Sequence, residues 1–570
     1  MKVNQTSRGR ASKKELRMVT FFFLFFTYLQ KVEGAGVTII THGLDGNVSD
    51  WIIPMAEAIG HSGRIPNQDF SCFEFHWIWN GTNYIPQSTF LKGSLPTNSS
   101  SGEILVKLDW SQLADGKYST TQLAESITQA MLKLDFVPEL SGHSVVELPI
   151  HLIGHSRGGS LVAEICRLLG ARGIWIDQMT TLDPHPLNND GFDGSCGLIC
   201  DSIVIDGPVR PYENVLFADN YYQRLAAFVY GNNVPGAYNR KLLSLYQGYY
   251  TSNPLDPWYW HDYHSNVHLW YHATLDFTSP KTTDTQAFID DSGRDAWFTS
   301  TEARGTRAGH FYSRLGGGNR LRDVQPAGLG SDRIRDGYNQ RWDLGAGIGA
   351  NRYALPDNDG SWPNPIQVKL LTHTFFTVTN VHTLAEIKVV PAIQEDSVVA
   401  SFTYQSGTTN AQQTRVSFFL DRDTNPYNKN EIRLTDVDLS RTGVNAIASS
   451  NVVLKIDARR VPSGLYRIAG EISVGSRVRY LYGAEWLEVF PQLLISQLVL
   501  DSNAPRRWRL KATGIQQLTV ALERSADLKS WIQLGSRVLA GGTDELNGAA
   551  EFIDETAPST GAFYRALYTR

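Results

Sequence analysis

The sequence predicts an α/β fold with a mostly parallel central sheet, followed by all-β modules towards the C-terminus. Three observations predict it. From Gly36 to about Phe277, short apolar runs alternate with segments of helical spacing, the order of βαβ units. Several of the runs are apolar throughout, as strands are when helices cover both faces of a sheet. From about residue 370 the helical period disappears and short alternating segments take over.

Taken in order, the strand candidates of the first part are 37–41, 73–79, 104–108, 148–153, 178–182 and 214–218. Helical spacing marks 121–134 and 160–169, where Leu161, Ile165, Leu168 and Leu169 fall on one face. Beyond them, 398–404, 414–420, 452–456 and 465–472 alternate as half-buried strands do. With 570 residues the chain exceeds what one core organises, so several domains are expected. They are a leader over 1–35, an α/β domain over 36–290 and an irregular connector over 291–369. A β-sandwich-like domain over 370–490 and a small β module over 491–570 complete the chain.

The leader carries Arg8, Arg10, Lys13, Lys14 and Arg17, then an apolar run over 19–29, then Gly34, Ala35 and Gly36. Basic, apolar, small is the order of a signal peptide, and the run is short for a membrane span of about 20 residues. The expectation is export to the outside or the cell surface. An oxidising compartment permits a disulfide, and Cys196 and Cys200 are spaced to close a small loop, whereas Cys166 sits on an apolar helix face as core. A net charge of -5 with no basic block in the body of the chain argues against a nucleic-acid partner. No sequence feature reports the oligomeric state.

The strongest chemical signal is Leu152-Ile-Gly-His-Ser-Arg-Gly-Gly159, an apolar strand running through Gly-X-Ser-X-Gly into a helix. A serine in such a turn stands proud of the sheet, and the helix N-terminus directs its free N–H groups at the reacting centre. Upstream, the strand at 37–41 ends in His42-Gly43. The N–H groups of Leu44 and Arg157 are the expected oxyanion hole. A serine hydroxyl needs a histidine to take its proton and a carboxylate to orient that histidine. Asp183, in Leu182-Asp-Pro-His-Pro186, ends the next predicted strand 27 positions beyond Ser156 and supplies the carboxylate, although Asp-Pro is also a common turn. Downstream lie His261, His264, His268 and His272. His264 is the expected base and His268 the alternative. His264, His268 and His272 at four-residue steps could otherwise ligate zinc.

These motifs resemble the lipase family of the α/β-hydrolase superfamily that includes pancreatic and lipoprotein lipases and phospholipase A1. The likeness runs through His42-Gly43, Val106-Lys-Leu-Asp-Trp-Ser-Gln-Leu-Ala114 with Tyr118, the serine turn, Leu182-Asp-Pro184 and Tyr263-His-Ser-Asn-Val-His-Leu-Trp-Tyr271. It covers about 240 residues, less than half of the chain. The resemblance implies Ser156, Asp183 and His264 as a triad cleaving carboxylic esters or lipids, with no cofactor required for catalysis. It has departures: Arg157 stands where the family usually has Leu or Met, Asp262 and Tyr263 replace a cysteine before the histidine, and no lid between paired cysteines is evident. The same triad would serve a peptidase or amidase, and a third reading is a surface-binding protein whose hydrolase domain is inactive.

Two features of the β region complete the reading. Asp421, Asp423, Asn425 and Glu431 place oxygens at the spacing of a structural calcium loop, with a solvated hairpin loop as the preferred alternative. The run from Leu522 to Trp531, with Phe563-Tyr-Arg-Ala566, resembles a small C-terminal module of secreted bacterial proteins and implies cell-surface attachment.

Overall fold

The computed structural model describes residues 36–49, 51–61, 70–93, 103–140, 142–189, 204–225, 230–242, 257–274, 309–312, 352–355, 366–372, 383–384, 387–392, 396–404, 413–423, 425–440, 448–456, 461–462, 464–475, 477–491, 494–500, 507–514, 519–541, 548–558 and 562–568. The leader over 1–35, the Cys196–Cys200 loop and most of the expected connector lie outside these residues. The chain divides into two compact units, Met1–Pro365 and Ile366–Arg570.

The first unit is organised by one eight-stranded sheet in the order β3-β2-β4-β1-β5-β6-β7-β8. Its strands are β1 Val37–Thr41, β2 Ser71–Trp79, β3 Tyr84–Gly93, β4 Ile104–Asp109, β5 Ile150–His155, β6 Ile176–Leu182, β7 Val215–Gln223 and β8 Tyr238–Leu242. All neighbours run parallel except the edge pair β2 and β3, a hairpin that the strand at 73–79 alone did not announce. Asn80 makes the hairpin turn by accepting the N–H groups of Thr82 and Asn83 at 2.9 and 2.7 Å. The sheet is covered by α1 Ile52–His61, α2 Thr120–Met131, α3 Arg157–Ala171 and α4 Pro257–Ala273. Trp51, Ile52, Met55 and Ile59 at α1, and Val267, Trp270 and Tyr271 of α4, share a core with Ile40, Leu105, Ile153 and Leu182. Helix α3 packs on β5 and β6 from the opposite face, and α2 packs on α3. Helix α2 starts on a capping box, with Ser119 Oγ accepting from Gln122 N at 3.3 Å and Gln122 Oε1 accepting from Ser119 N at 2.9 Å.

The second unit contains β9 Ile366–Thr372 through β23 Phe563–Tyr568. A six-stranded sheet, β10-β11-β17-β16-β13-β14, is antiparallel except for β11 beside β17. A three-stranded sheet, β15-β12-β9, faces it, with Phe402 of β12 against Phe418 of β13 at 5.7 Å between ring centroids. Strand β13, Thr414–Asp421, buries Val416, Phe418 and Leu420 at alternate positions. Two further three-stranded sheets, β18-β19-β22 and β21-β20-β23, share a core of Leu510, Val520, Leu522 and Phe552.

The expected α/β class is corrected here. Strands hold 48% of the described residues and helices 19%, with only four α-helices among them, so the described residues are mostly β, in two mixed sheets and three antiparallel ones. The expectation weighted the strand–helix alternation around Ser156. That alternation does not persist: β2 turns directly into β3, and every described regular element from Ile366 onward is a strand. Among the described residues, helices accompany only the parallel sheet of the first unit, and strand pairing alone organises the second.

Around the serine turn, the backbones of β5 and α3 approach closely. A Cβ at Gly154 would stand 2.2 Å from the Gly158 carbonyl oxygen, and one at Gly158 would stand 2.4 Å from the His42 carbonyl oxygen. Both obstacles are backbone, which no rotamer change relieves. Gly154→Ala and Gly158→Ala are each expected to lower the unfolding free energy by about 3 kcal/mol or more. The check is the urea midpoint, and an alanine variant with the wild-type midpoint would refute the close approach.

Candidate active site

Strand β5 is buried along its whole length and ends at His155. The next residue, Ser156, adopts φ 57 and ψ -125, a positive-φ conformation that a serine enters only when its surroundings hold it there. Three backbone bonds hold it. The Ser156 N–H donates to Leu182 O at 2.9 Å, and Ser156 O accepts from Gly159 N at 2.9 Å and His185 N at 3.1 Å. Gly43 presses on the serine from β1, since a Cβ there would fall 2.6 Å from Ser156 Cβ. Helix α3 begins at Arg157, so its N-terminal N–H groups face the turn.

The two expected oxyanion donors flank this turn. Arg157 follows the serine as the first residue of α3, and Leu44 lies just past the end of β1 with its side chain 41% exposed. His42 braces the loop between them. Its Nδ1 lies 2.9 Å from Gly43 O, its Nε2 accepts the Trp110 N–H at 3.1 Å, and its ring stacks on Trp110.

Asp183 sits one residue past β6 at φ 44 and is fully buried. Its Oδ1 accepts from Gln223 N at 2.9 Å and Gly231 N at 2.8 Å, while its Oδ2 accepts from Gln223 Nε2 at 2.8 Å. The same Oδ2 lies 2.6 Å from His264 Nδ1. A proton on Nδ1 therefore points at the carboxylate and leaves Nε2 as the unprotonated, basic nitrogen. His264 reaches the serine turn through its neighbours. His155 Nε2 lies 3.0 Å from the His264 carbonyl, and the two rings stand 4.5 Å apart. His185, whose N–H bonds to Ser156 O, has its ring 6.2 Å from that of His264.

Helix α4 carries the alternative base one turn further on. His268 is fully buried, stacked on Trp51 at 4.4 Å and edge-on to His155 at 4.8 Å. Burial lowers its proton affinity well below that of an ordinary histidine, with His155, His264 and His272 adding to the effect. His272 is buried too, and no group of three or more His, Cys, Asp or Glu that could hold a metal occurs among the described residues. The side chain of His261 is outside them.

In the second unit, oxygens of Asp421, Asp423 and Asn425 in the expected calcium loop accept hydrogen bonds within a turn. Asp421 Oδ1 accepts from Asp423 N at 3.1 Å and Asp421 Oδ2 from the Tyr482 hydroxyl at 2.7 Å. Asp423 Oδ2 accepts from the side-chain amides of Asn428 and Asn430 at 2.7 and 2.6 Å, and Asn425 Oδ1 accepts from Tyr427 N at 3.0 Å. These are contacts that a hairpin turn also makes, and Glu431 Oε1 is buried with no hydrogen-bond partner among the described residues. Glu431 is half-buried at the end of the same loop.

Several supports of the candidate site lack a sequence signal. Gln223 ends β7, Gly231 lies in the next loop, and His185 follows the Asp-Pro pair. Only the fold brings them to Asp183 and Ser156.

No family model matches the chain, and no curated protein matches it. Among solved structures, a marsupial T cell receptor is similar over 36% of this chain and 100% of its own, with 11% sequence identity and a TM-score of 0.13. A likeness of that size carries no argument about the site.

Burial pushes the Asp183 carboxyl up to about 6, against the pull of the Gln223 and Gly231 donors and the charge of His155. Below that pH the carboxyl takes up a proton and no longer stabilises a positive imidazole. The rate at which a fluorophosphonate modifies Ser156 is expected to fall as pH drops through about 6. Gln223→Leu removes a donor that favours the ionised form, so it should move the acid limb to higher pH. A limb that stays where it was would mean that Asp183 does not set it.

Proposed function

We propose that the chain is a serine hydrolase that cleaves carboxylic esters through an acyl-enzyme. The observation that carries this reading is the 2.6 Å contact between Asp183 Oδ2 and His264 Nδ1 beside a serine held at φ 57. Ser156 Oγ attacks the ester carbonyl and passes its proton to His264 Nε2. Asp183 holds the imidazole in the tautomer that leaves Nε2 unprotonated and stabilises the imidazolium that forms. The N–H groups of Leu44 and Arg157 receive the oxyanion of the tetrahedral intermediate. His264 then protonates the departing alkoxide, and the acyl group remains on Ser156. A water enters, His264 takes its proton, and a second tetrahedral intermediate collapses to release the acid and restore the serine.

The leader composition supports a secreted or cell-surface location for this activity, and the resemblance of the run from Leu522 to Trp531 to modules of secreted proteins supports attachment at the cell surface. An ester substrate is favoured over an amide by the motif order described above, which resembles that of lipases.

Hydrolysis of p-nitrophenyl acyl esters and matched anilides tests the reading. Ser156→Ala and His264→Ala are expected to cut kcat on esters by about 10⁴-fold or more, and Asp183→Asn by about 10⁴-fold. His268→Phe, which fills the same space against Trp51, is expected to keep most of the activity. Faster turnover of anilides than of esters would make the chain an amidase. Full activity in Ser156→Ala would end the proposal.

A further inference from the structure

We propose that the buried Arg157–Asp206 ion pair is a positioning device that aims the Arg157 backbone N–H at the oxyanion. The proposal rests on the hydrolase reading above and assigns a role to two side chains that the triad does not use. Both side chains are fully shielded from solvent. Arg157 Nε donates to Asp206 Oδ2 at 2.7 Å and one terminal nitrogen donates to Asp206 Oδ1 at 2.9 Å, a two-pronged contact. The guanidinium also donates to the carbonyls of Ala114, at 3.3 Å, and Tyr118, and its carbon lies 5.2 Å from the centre of the Trp110 ring.

Asp206 gathers the surrounding chain on the same two oxygens. Its Oδ1 accepts the Thr120 N–H at 2.9 Å, the first residue of α2. Its Oδ2 accepts the Leu187 N–H at 2.8 Å, and its own N–H donates to Leu187 O at 3.0 Å. Leu187 lies four residues beyond Asp183, and between them His185 donates its N–H to Ser156 O. One ion pair therefore ties together the residue after the nucleophile, the start of α2 and the loop that carries the acid.

A residue that only had to fill this space could be apolar. Burying a guanidinium and a carboxylate is costly before their attraction offsets it, and apolar replacement of such pairs is often neutral or stabilising. The planar fork supplies what an apolar side chain does not: fixed directions. Arg157 carries both the anchored side chain and the expected oxyanion N–H, so rotation of its peptide plane is resisted by bonds made at the far end of the same residue. A displacement of the reacting geometry by about 1 Å can cost about 100-fold in rate.

The test compares wild type with the double variant Arg157→Met/Asp206→Asn, in which no charge is left unpaired and position 206 keeps an acceptor oxygen. The expected result is a folded protein with kcat lowered by about 100-fold and KM within about twofold. An alkyl boronic acid, which becomes tetrahedral on the serine, should bind more weakly by the same factor as kcat falls. A merely structural pair would lower the melting temperature without that parallel loss. A folded double variant with kcat within about twofold of wild type overturns the proposal. If the double variant does not fold, Arg157→Lys keeps the charge and removes the fork, and the same pair of outcomes decides. Wild type that fails to react with a fluorophosphonate would overturn the hydrolase reading itself. Wild type that reacts, with an unimpaired variant, overturns the positioning role alone.

Discussion

The close approach of β5 to α3 at Gly154 and Gly158 is the constraint on which the candidate site depends. With the strand and helix backbones in contact, the chain between them must reverse within one residue, and Ser156 takes that reversal at φ 57. Such a conformation costs about 1–3 kcal/mol when a non-glycine residue adopts it. It persists because Leu182, Gly159 and His185 all bond to the serine backbone. The parallel register sets the height of these contacts. Thr41 of β1 and Thr181 of β6 both pair with Gly154, so the ends of three adjacent strands meet at one edge. Gly43, Ser156 and Asp183 are the residues that lie just past those ends.

The carboxylate is the second costly element of the site. A fully buried Asp183 would favour its neutral form, and burial does raise its pKa to about 6. Three N–H donors restrain the rise, two of them from Gln223, and the fourth contact is the imidazole itself. The balance leaves the carboxyl ionised at neutral pH while leaving it a strong acceptor for His264. A better-solvated aspartate would be easier to bury in the folding sense and weaker as a partner, since water would screen its charge.

What the sequence makes legible follows from how local each signal is. Strand β1, the serine turn and the body of α3 could be read because apolar runs, glycines and helical spacing are properties of neighbouring residues. The supports of Asp183 could not, because Gln223 and Gly231 act through contacts between positions 40 and 48 apart in the chain. Asp206 is hidden for the same reason, 49 positions from Arg157. The fold class failed differently. Alternation around Ser156 is strong and local, whereas the balance between helix and strand depends on segments such as β3 and β8, whose polar residues mask their pairing. Half-exposed edge strands like β3, with its Gln87, Ser88 and Thr89, offer little period to read.

The choice between His264 and His268 shows how a spacing argument ends and a packing argument begins. Four residues apart on α4, they share a helix face, and the spacing alone treats them as equivalent. One helical turn, about 5.4 Å, separates their surroundings. At His264 the turn meets a carboxylate, which fixes the proton on one ring nitrogen and leaves the other basic. At His268 it meets the indole of Trp51 and the ring of His155, where burial favours the neutral imidazole. A ring held neutral in that packing is a poor proton carrier and a good wedge. The two histidines therefore differ in their surroundings and not in their spacing: a carboxylate at one, aromatic rings at the other.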